Sequence, residues 1–430
     1  MKSRICTVLL ACLLANAAVA QVSSTLSPYS QFGLGVLAEQ SQGFNRGMGG
    51  VGMGLRGGQI VNAQNPASYS AVDSLTMIFD VGVRGQTTNF KEGDKSKNAS
   101  NAAFDYATAL FRVWPKVGVS VGIIPFSNIG YSYSNKSFVN GSSSNYATST
   151  YSGSGGFSQA YLGVGWEAFK GFSVGANVSY FWGNYERKAT VVNSDAYVNT
   201  ETQTYSAKVS SYKLNFGVQY QKRLSHEQAV TVGATVGLGH NLGAQANFTR
   251  ANSNTQTSVV TTTTDSVPDA LSLPLTVGLG AVWQYKNKLT IGADYELQKW
   301  SSLDYPHVNA ATSQYVSASG MLRDRHQLRL GADWLPNPQS RRIWGHIHCK
   351  AGVSYATPYY NIGSSKGPSE LALTAGFGIP IVNTWNNRSL LNISAQWVRM
   401  SNSAFITENT FRINVGLTFN ERWFAKWKVD

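Results

Sequence analysis

Three groups of residues in this 430-residue chain have the types and spacing for chemistry. Gly47-x-Gly49-x-x-Gly52, with Asp73 some way beyond, matches the dinucleotide-binding fingerprint literally. That chemistry needs an apolar strand before the glycines and a helix after them, and neither pattern is present, so close backbone packing is the reading retained. His346 and His348 are two apart on an expected strand, which puts both rings on one face. With no third His or carboxylate nearby in sequence, they read as wall or rim histidines and imply no metal site. Serine is abundant, but no Ser, His and acid stand at a recognisable triad spacing. The expectation is therefore a protein that is not an enzyme and carries no cofactor.

The remaining charged candidates lie on alternating segments. Tyr212, Leu214, Phe216, Val218 and Tyr220 alternate with Lys213, Asn215, Gly217, Gln219 and Gln221. Leu328, Leu330, Ala332 and Trp334 alternate with Gln327, Arg329, Gly331 and Asp333, and Phe411 to Phe419 repeats the pattern. A period of two places one set on each face of a β-strand, one apolar and one polar. Asp294, Glu296, Arg329, Asp333 and Arg412 thus share the polar face, where ion pairing across a lumen, including to Arg46 and Arg56, is the plain account.

Only 13% of the residues are charged, about half the usual share, while aromatics reach 12% and glycines number 42. Trp114, Phe169, Tyr220, Tyr285, Trp334 and Phe419 stand at strand ends, as an interfacial girdle requires. The segments number fourteen, at 76–90, 104–114, 117–130, 155–169, 171–187, 204–223, 227–250, 270–286, 288–300, 321–335, 343–356, 369–382, 388–400 and 409–419. Connections alternate between long and polar, such as 131–153, 188–203, 251–269 and 301–320, and short, such as Pro115-Lys116 and Asn287. The fold class is all-β: a 14-stranded antiparallel transmembrane β-barrel of the bacterial outer membrane.

Domain organisation follows. Lys2, Arg4, the apolar Ile5–Ala15 and the Ala18-Val19-Ala20 cleavage site make 1–20 a signal peptide. Residues 21–75 are rich in Gly, Asn, Gln and Ser with little alternation, so they lie in the periplasm or, more simply, plug the lumen as a hatch. Residues 76–419 form the barrel, and 420–430 a periplasmic C-terminal tail with Trp423, Phe424 and Trp427. The net charge of +13 is scattered. It suits contact with outer-membrane lipid and lipopolysaccharide rather than nucleic acid.

Signal peptide, glycine-rich segment, Asn65-Pro66-Ala67 and then the first strand together resemble the FadL-type long-chain fatty acid transporters, a family of fourteen-stranded barrels whose N-terminal hatch carries an Asn-Pro-Ala motif. The resemblance covers the whole chain and implies passive uptake of hydrophobic compounds. In that family an inward kink of the third strand opens a lateral hole. By resemblance Pro125, Asn128 and Gly130, with Phe126 between them, make that kink and line the ligand path. An ordinary bulge at the membrane rim is the alternative, because proline removes a ladder donor. The hatch residues are Arg46, Arg56, Asn65, Pro66 and Ala67, and fatty carboxylates favour Lys213 and Arg329. Two other functions stay open. One is a non-transporting FadL-like accessory subunit of an outer-membrane secretion or assembly complex, with a protein partner at the C-terminal tail. The other is a polar porin.

Overall fold

The computed structural model describes residues 25–74, 76–139, 144–309, 311–340, 342–382, 388–402 and 405–422. The expected signal peptide, 1–20, and the aromatic end of the expected tail, 423–430, lie outside the described residues.

Alternation of apolar and polar side chains builds fourteen barrel strands. They are β1 Thr76–Glu92, β2 Lys95–Trp114, β3 Val117–Phe138, β4 Tyr146–Phe169, β5 Phe172–Asn193, β6 Thr200–Arg223 and β7 Gln228–Gly237. The second half comprises β8 Leu275–Tyr285, β9 Leu289–Lys299, β10 Arg325–Trp334, β11 His348–Ala356, β12 Ser369–Val382, β13 Arg388–Ser401 and β14 Thr407–Arg422. Each is antiparallel to the next, and β14 closes on β1 from Thr76↔Arg422 to Lys91↔Thr407. Closure removes the sheet edges that hydrocarbon could not satisfy.

The outward face of β6 runs Tyr212, Leu214, Phe216, Val218, Tyr220, and that of β10 runs Leu328, Leu330, Ala332, Trp334. Trp114, Phe169, Trp334 and Phe419 are exposed at the short-turn end. About nine residues of tilted strand cross the hydrocarbon, which is the length of these apolar runs.

Several boundaries differ from the sequence reading. Much of what reads as long loop is strand: β3 continues to Phe138, β4 starts at Tyr146, and β5 and β6 extend to Asn193 and from Thr200. These extensions are rich in Ser, Thr and Tyr on both faces, so they stand above the bilayer without apolar alternation. The seventh strand stops at Gly237. Residues Ala246–Ser253 and Val260–Val267 form a separate hairpin that lengthens the wall beside β6. The eleventh begins only at His348, because Ile343–His346 is a 3-10 turn. The last strand runs on to Arg422, so Asn420, Glu421 and Arg422 belong to the wall rather than to a tail.

Residues 25–74 occupy the lumen. Their side chains join the wall in a large aromatic cluster toward the long-loop end and two smaller ones toward the short-turn end.

Candidate functional site

The hatch has two parts, built by different means. The first, a hoop from Gly43 to Tyr69, follows the inner wall around the barrel. It meets β14 at Gly416, β12 at Gly376, β11 and β10 at Gly352 and Gly331, and β9 at Gly292. It continues past β8 and β7 at Gly280 and Gly233, then β6, β5, β4 and β3. At Gly416, Gly352, Gly331 and Gly233 the hoop backbone leaves no room for a side chain, while at Gly292 and Gly280 the space is taken by the Val51 and Met53 side chains. A Cβ at Gly233 would stand 1.9 Å from the Met53 carbonyl oxygen, one at Gly331 2.0 Å from that of Met48, and one at Gly118 2.0 Å from that of Tyr69. The literal dinucleotide motif lies within this hoop, and Gly49, at φ +66, turns the chain against the wall at Leu330 and Val353.

Asn65-Pro66-Ala67 has a mechanical role here. Asn65 caps the 3-10 turn Pro66–Ala71 by accepting from the Ala67 amide at 3.1 Å, and Pro66 begins that turn. The Asn65 amide donates to the Met53 carbonyl at 2.7 Å and to the Val218 carbonyl of β6 at 3.2 Å. One side chain thus ties hoop to hoop and hoop to wall. Arg46 pairs with Asp105 of β2, which also receives Arg84 at 3.2 Å. Arg56 reaches Glu167 of β4 at 3.3 Å and Ser173 at 2.7 Å. Burial lowers the pKa of the Arg56 guanidinium while Glu167 opposes that shift. Asp294 of β9 accepts the Gly52 and Met53 amides at 2.6 and 2.9 Å. Charge-assisted bonds of this kind are about twice as strong as neutral ones.

The second part, a strap from Ser27 to Gln42, runs past a parting of the wall. β2 and β3 pair only as far as Ala107↔Ile123. Beyond it β2 keeps only β1 as neighbour, while β3 keeps β4 and gains the hatch strand Val36–Leu37, paired Val36↔Asn128 and Leu37↔Ser127. A register shift between Pro125 and Ser127 leaves Phe126 as the extra residue against β4. From Ser127 to Tyr131 five consecutive residues are buried, so this stretch no longer has an outer and an inner face. The Ala38 amide donates to the Phe126 carbonyl at 2.8 Å and Gln40 to that of Pro125 at 2.9 Å. Ser127 donates to the Leu34 carbonyl at 2.7 Å, and the Gly130 amide donates to Ser30 at 3.1 Å. At the far end Arg187 and Tyr305 donate to the Gly33 carbonyl at 2.6 and 2.8 Å, and Tyr359 donates to that of Gly35.

Between strap, hoop and wall lies a chamber of about 130 Å³. Its lining includes Glu39, Gln159, Lys213, Glu296, Arg329 and Arg412. Lys213 donates to Gln159 at 3.2 Å, with Phe126 5.3 Å from its ammonium, and Arg329 is engaged by Glu296 at 3.0 Å and Gln327 at 2.7 Å. The two proposed carboxylate contacts therefore face one chamber, but Arg329 already has an acid. Above it lies a buried aromatic cluster that includes Phe157, Phe181, Trp300, Tyr359 and Tyr360. The histidines separate: His348 bonds Asp333 at 2.7 Å, and His346 caps a turn at the Ser340 carbonyl, 2.6 Å away.

Sequence reasoning missed Asp105, Glu167 and the closing aromatics. Asp105 faces inward because of a bulge: Gly82 pairs with Tyr106 and Val83 with Phe104, leaving Asp105 without a counterpart, so it and Tyr106 are both buried. Alternation alone assigns one of the two to lipid.

Among solved structures the fold is similar to the Ralstonia pickettii toluene transporter TbuX, with a TM-score of 0.63 and 15% identity over 90% of this chain and 99% of that one. It is also similar to the Pseudomonas putida toluene transporter TodX (0.62, 15%, 90% and 100%) and to a Pseudomonas aeruginosa FadL homologue (0.60, 12%, 90% and 99%). No curated protein matches. The barrel, its apolar belt and these likenesses show a FadL-like barrel fold. A family model described as BamG matches residues 1–430, and the chain belongs to the BamG family.

Proposed function

We propose that this barrel admits hydrophobic small molecules across the outer membrane passively, with lateral release where β2 and β3 part. The observation that carries this reading is the parting itself: beyond Ala107↔Ile123 two hatch residues, Val36 and Leu37, take the place of a wall strand at β3. The solved neighbours named for toluene and monoaromatic hydrocarbons support a hydrophobic cargo, and long-chain fatty acids are a finer version of it. Displacement of the strap from Ser127 and Asn128 connects lumen to bilayer. Purified protein in liposomes, loaded with a fluorescent fatty acid or toluene, tests this. A Leu37→Cys, Ser127→Cys disulfide stops uptake and reductant restores it. Uptake unchanged by the closed disulfide removes the lateral route.

A second reading is favoured by the charged groups that line the chamber, Glu39, Lys213, Glu296, Arg329 and Arg412, which offer hydrocarbon little affinity. On that reading the barrel is a non-transporting accessory subunit of an outer-membrane secretion or assembly complex, docked through its C-terminal end. Copurification of the tagged native protein separates the two. A stoichiometric partner lost on deleting 423–430 supports the accessory role, and uptake that survives the deletion supports transport.

A further inference from the structure

Two adjoining clefts mark the outer surface where the tall end of the wall meets the apolar belt. The larger, about 840 Å³, is floored by outward strand ends at His326, Tyr355, Ser369 and Ser401, with Arg323 and Lys366 at its sides. The smaller, about 560 Å³, carries Lys91 and Arg399 and shares Asn402 with the first. Lys91, Arg323, Lys366 and Arg399 take part in none of the ion pairs formed by the described residues. Their acidic neighbours are few: Glu92, and Asp324, which already accepts the Ser301 amide at 3.0 Å. Next to the clefts along the same strands, Leu328, Tyr355, Leu373 and Phe411 stand outward, each about half exposed. Four cations engaged in no ion pair, against two carboxylates, thus sit beside a lipid-facing wall, over the strands from β10 round to β1.

We infer that this rim binds the phosphate-bearing head group of an outer-leaflet lipid, with its acyl chains laid along Leu328, Leu373 and Phe411. The physical reason is complementarity at two levels. Ammonium and guanidinium groups at a membrane surface attract anionic head groups, and Arg forks match phosphate oxygens. The apolar rows next to them remove the chains from water and prevent the head group from diffusing away as a free ion would. The rim of β5 and β6 makes a natural comparison, because there Lys188 and Lys208 are interspersed with Glu186 on the exposed face.

The test uses the full chain in detergent, titrated with lipid A or phosphatidylcholine and read by native mass spectrometry. Wild type retains lipid A in preference to phosphatidylcholine, and added salt weakens the retention. Arg323→Gln, Lys366→Gln and Arg399→Gln together cut lipid A occupancy about tenfold or more. Lys188→Gln with Lys208→Gln leaves it unchanged, and both variants keep heat-modifiable migration. Equal occupancy in wild type and the triple variant overturns the site, as does an equal loss in the β5–β6 variant. Displacement of lipid A by inorganic phosphate at matched concentration overturns the lipid assignment in favour of a free anion.

Discussion

The hoop and the strap are neighbouring stretches of one hatch, yet they are held in opposite ways. The hoop lies backbone against backbone on a ring of wall glycines, and its amides and guanidinium groups end on Asp294, Asp105 and Glu167. The strap adds the two residues Val36–Leu37 to the edge of β3 and is otherwise held largely through side chains: its own, such as Ser27 on Glu408 of β14 and Gln40 on the Pro125 carbonyl, and those reaching in from the wall and tall end, such as Arg187, Tyr305 and Tyr359. Backbone-to-backbone packing has no rotamers to adjust, so it either fits or fails as a whole. Contacts made through side-chain hydroxyls and amides release one at a time. The hoop is built into the barrel, and on the transport reading proposed above the strap is the part expected to move.

The comparison breaks hardest at the hoop. Gly331→Val places side-chain atoms in the Met48 carbonyl, and overpacking of that kind costs about 3 kcal/mol or more. The variant is expected to lose heat-modifiable migration, while Gly85→Val, which meets nothing within 4 Å, keeps it. Lipid-face charge comes next. Leu330→Arg exposes a guanidinium to hydrocarbon at roughly 2–4 kcal/mol near the midplane, read as lost assembly in folding assays with vesicles.

Asp294→Asn then removes the charge from the acceptor of the Gly52 and Met53 amides. A loss of about 1.5–3 kcal/mol in denaturant titration is expected. The smallest stability change belongs to the strap. Ala38→Pro deletes its bond to the Phe126 carbonyl for about 1 kcal/mol, while ion conductance in planar bilayers rises because the β3 edge is released. Were Ala38→Pro to destabilise as much as Gly331→Val with conductance unchanged, the division of the hatch into fixed and movable parts would be wrong.

How much of this was legible varies with the kind of signal. The apolar runs Tyr212–Tyr220, Leu328–Trp334 and Phe411–Phe419 announce membrane strands, since the solvent on each face dictates the residue at each position. The polar upper halves of β3 to β6 carry no such dictation, so they read as loops. Asn414 and Gln327 lie on the polar faces of their strands and are buried against other polar groups, so an arginine at either is not expected to fit. His346 and His348 read as one face of one strand and are parted by a 3-10 turn.

By itself the sequence determined the solvent on each side of the strands' apolar runs, hence the barrel, its number of strands and its girdles. These are nearest-neighbour consequences of alternation and are written at every second residue. Tertiary structure alone decided which glycines face the hoop, that one inserted residue turns Asp105 inward to Arg46, and that β3 exchanges β2 for the hatch beyond Ile123. Each of these depends on register between segments far apart in the chain. Pro125 hints that the ladder breaks, but what fills the break is set by the strand edges that closure leaves open.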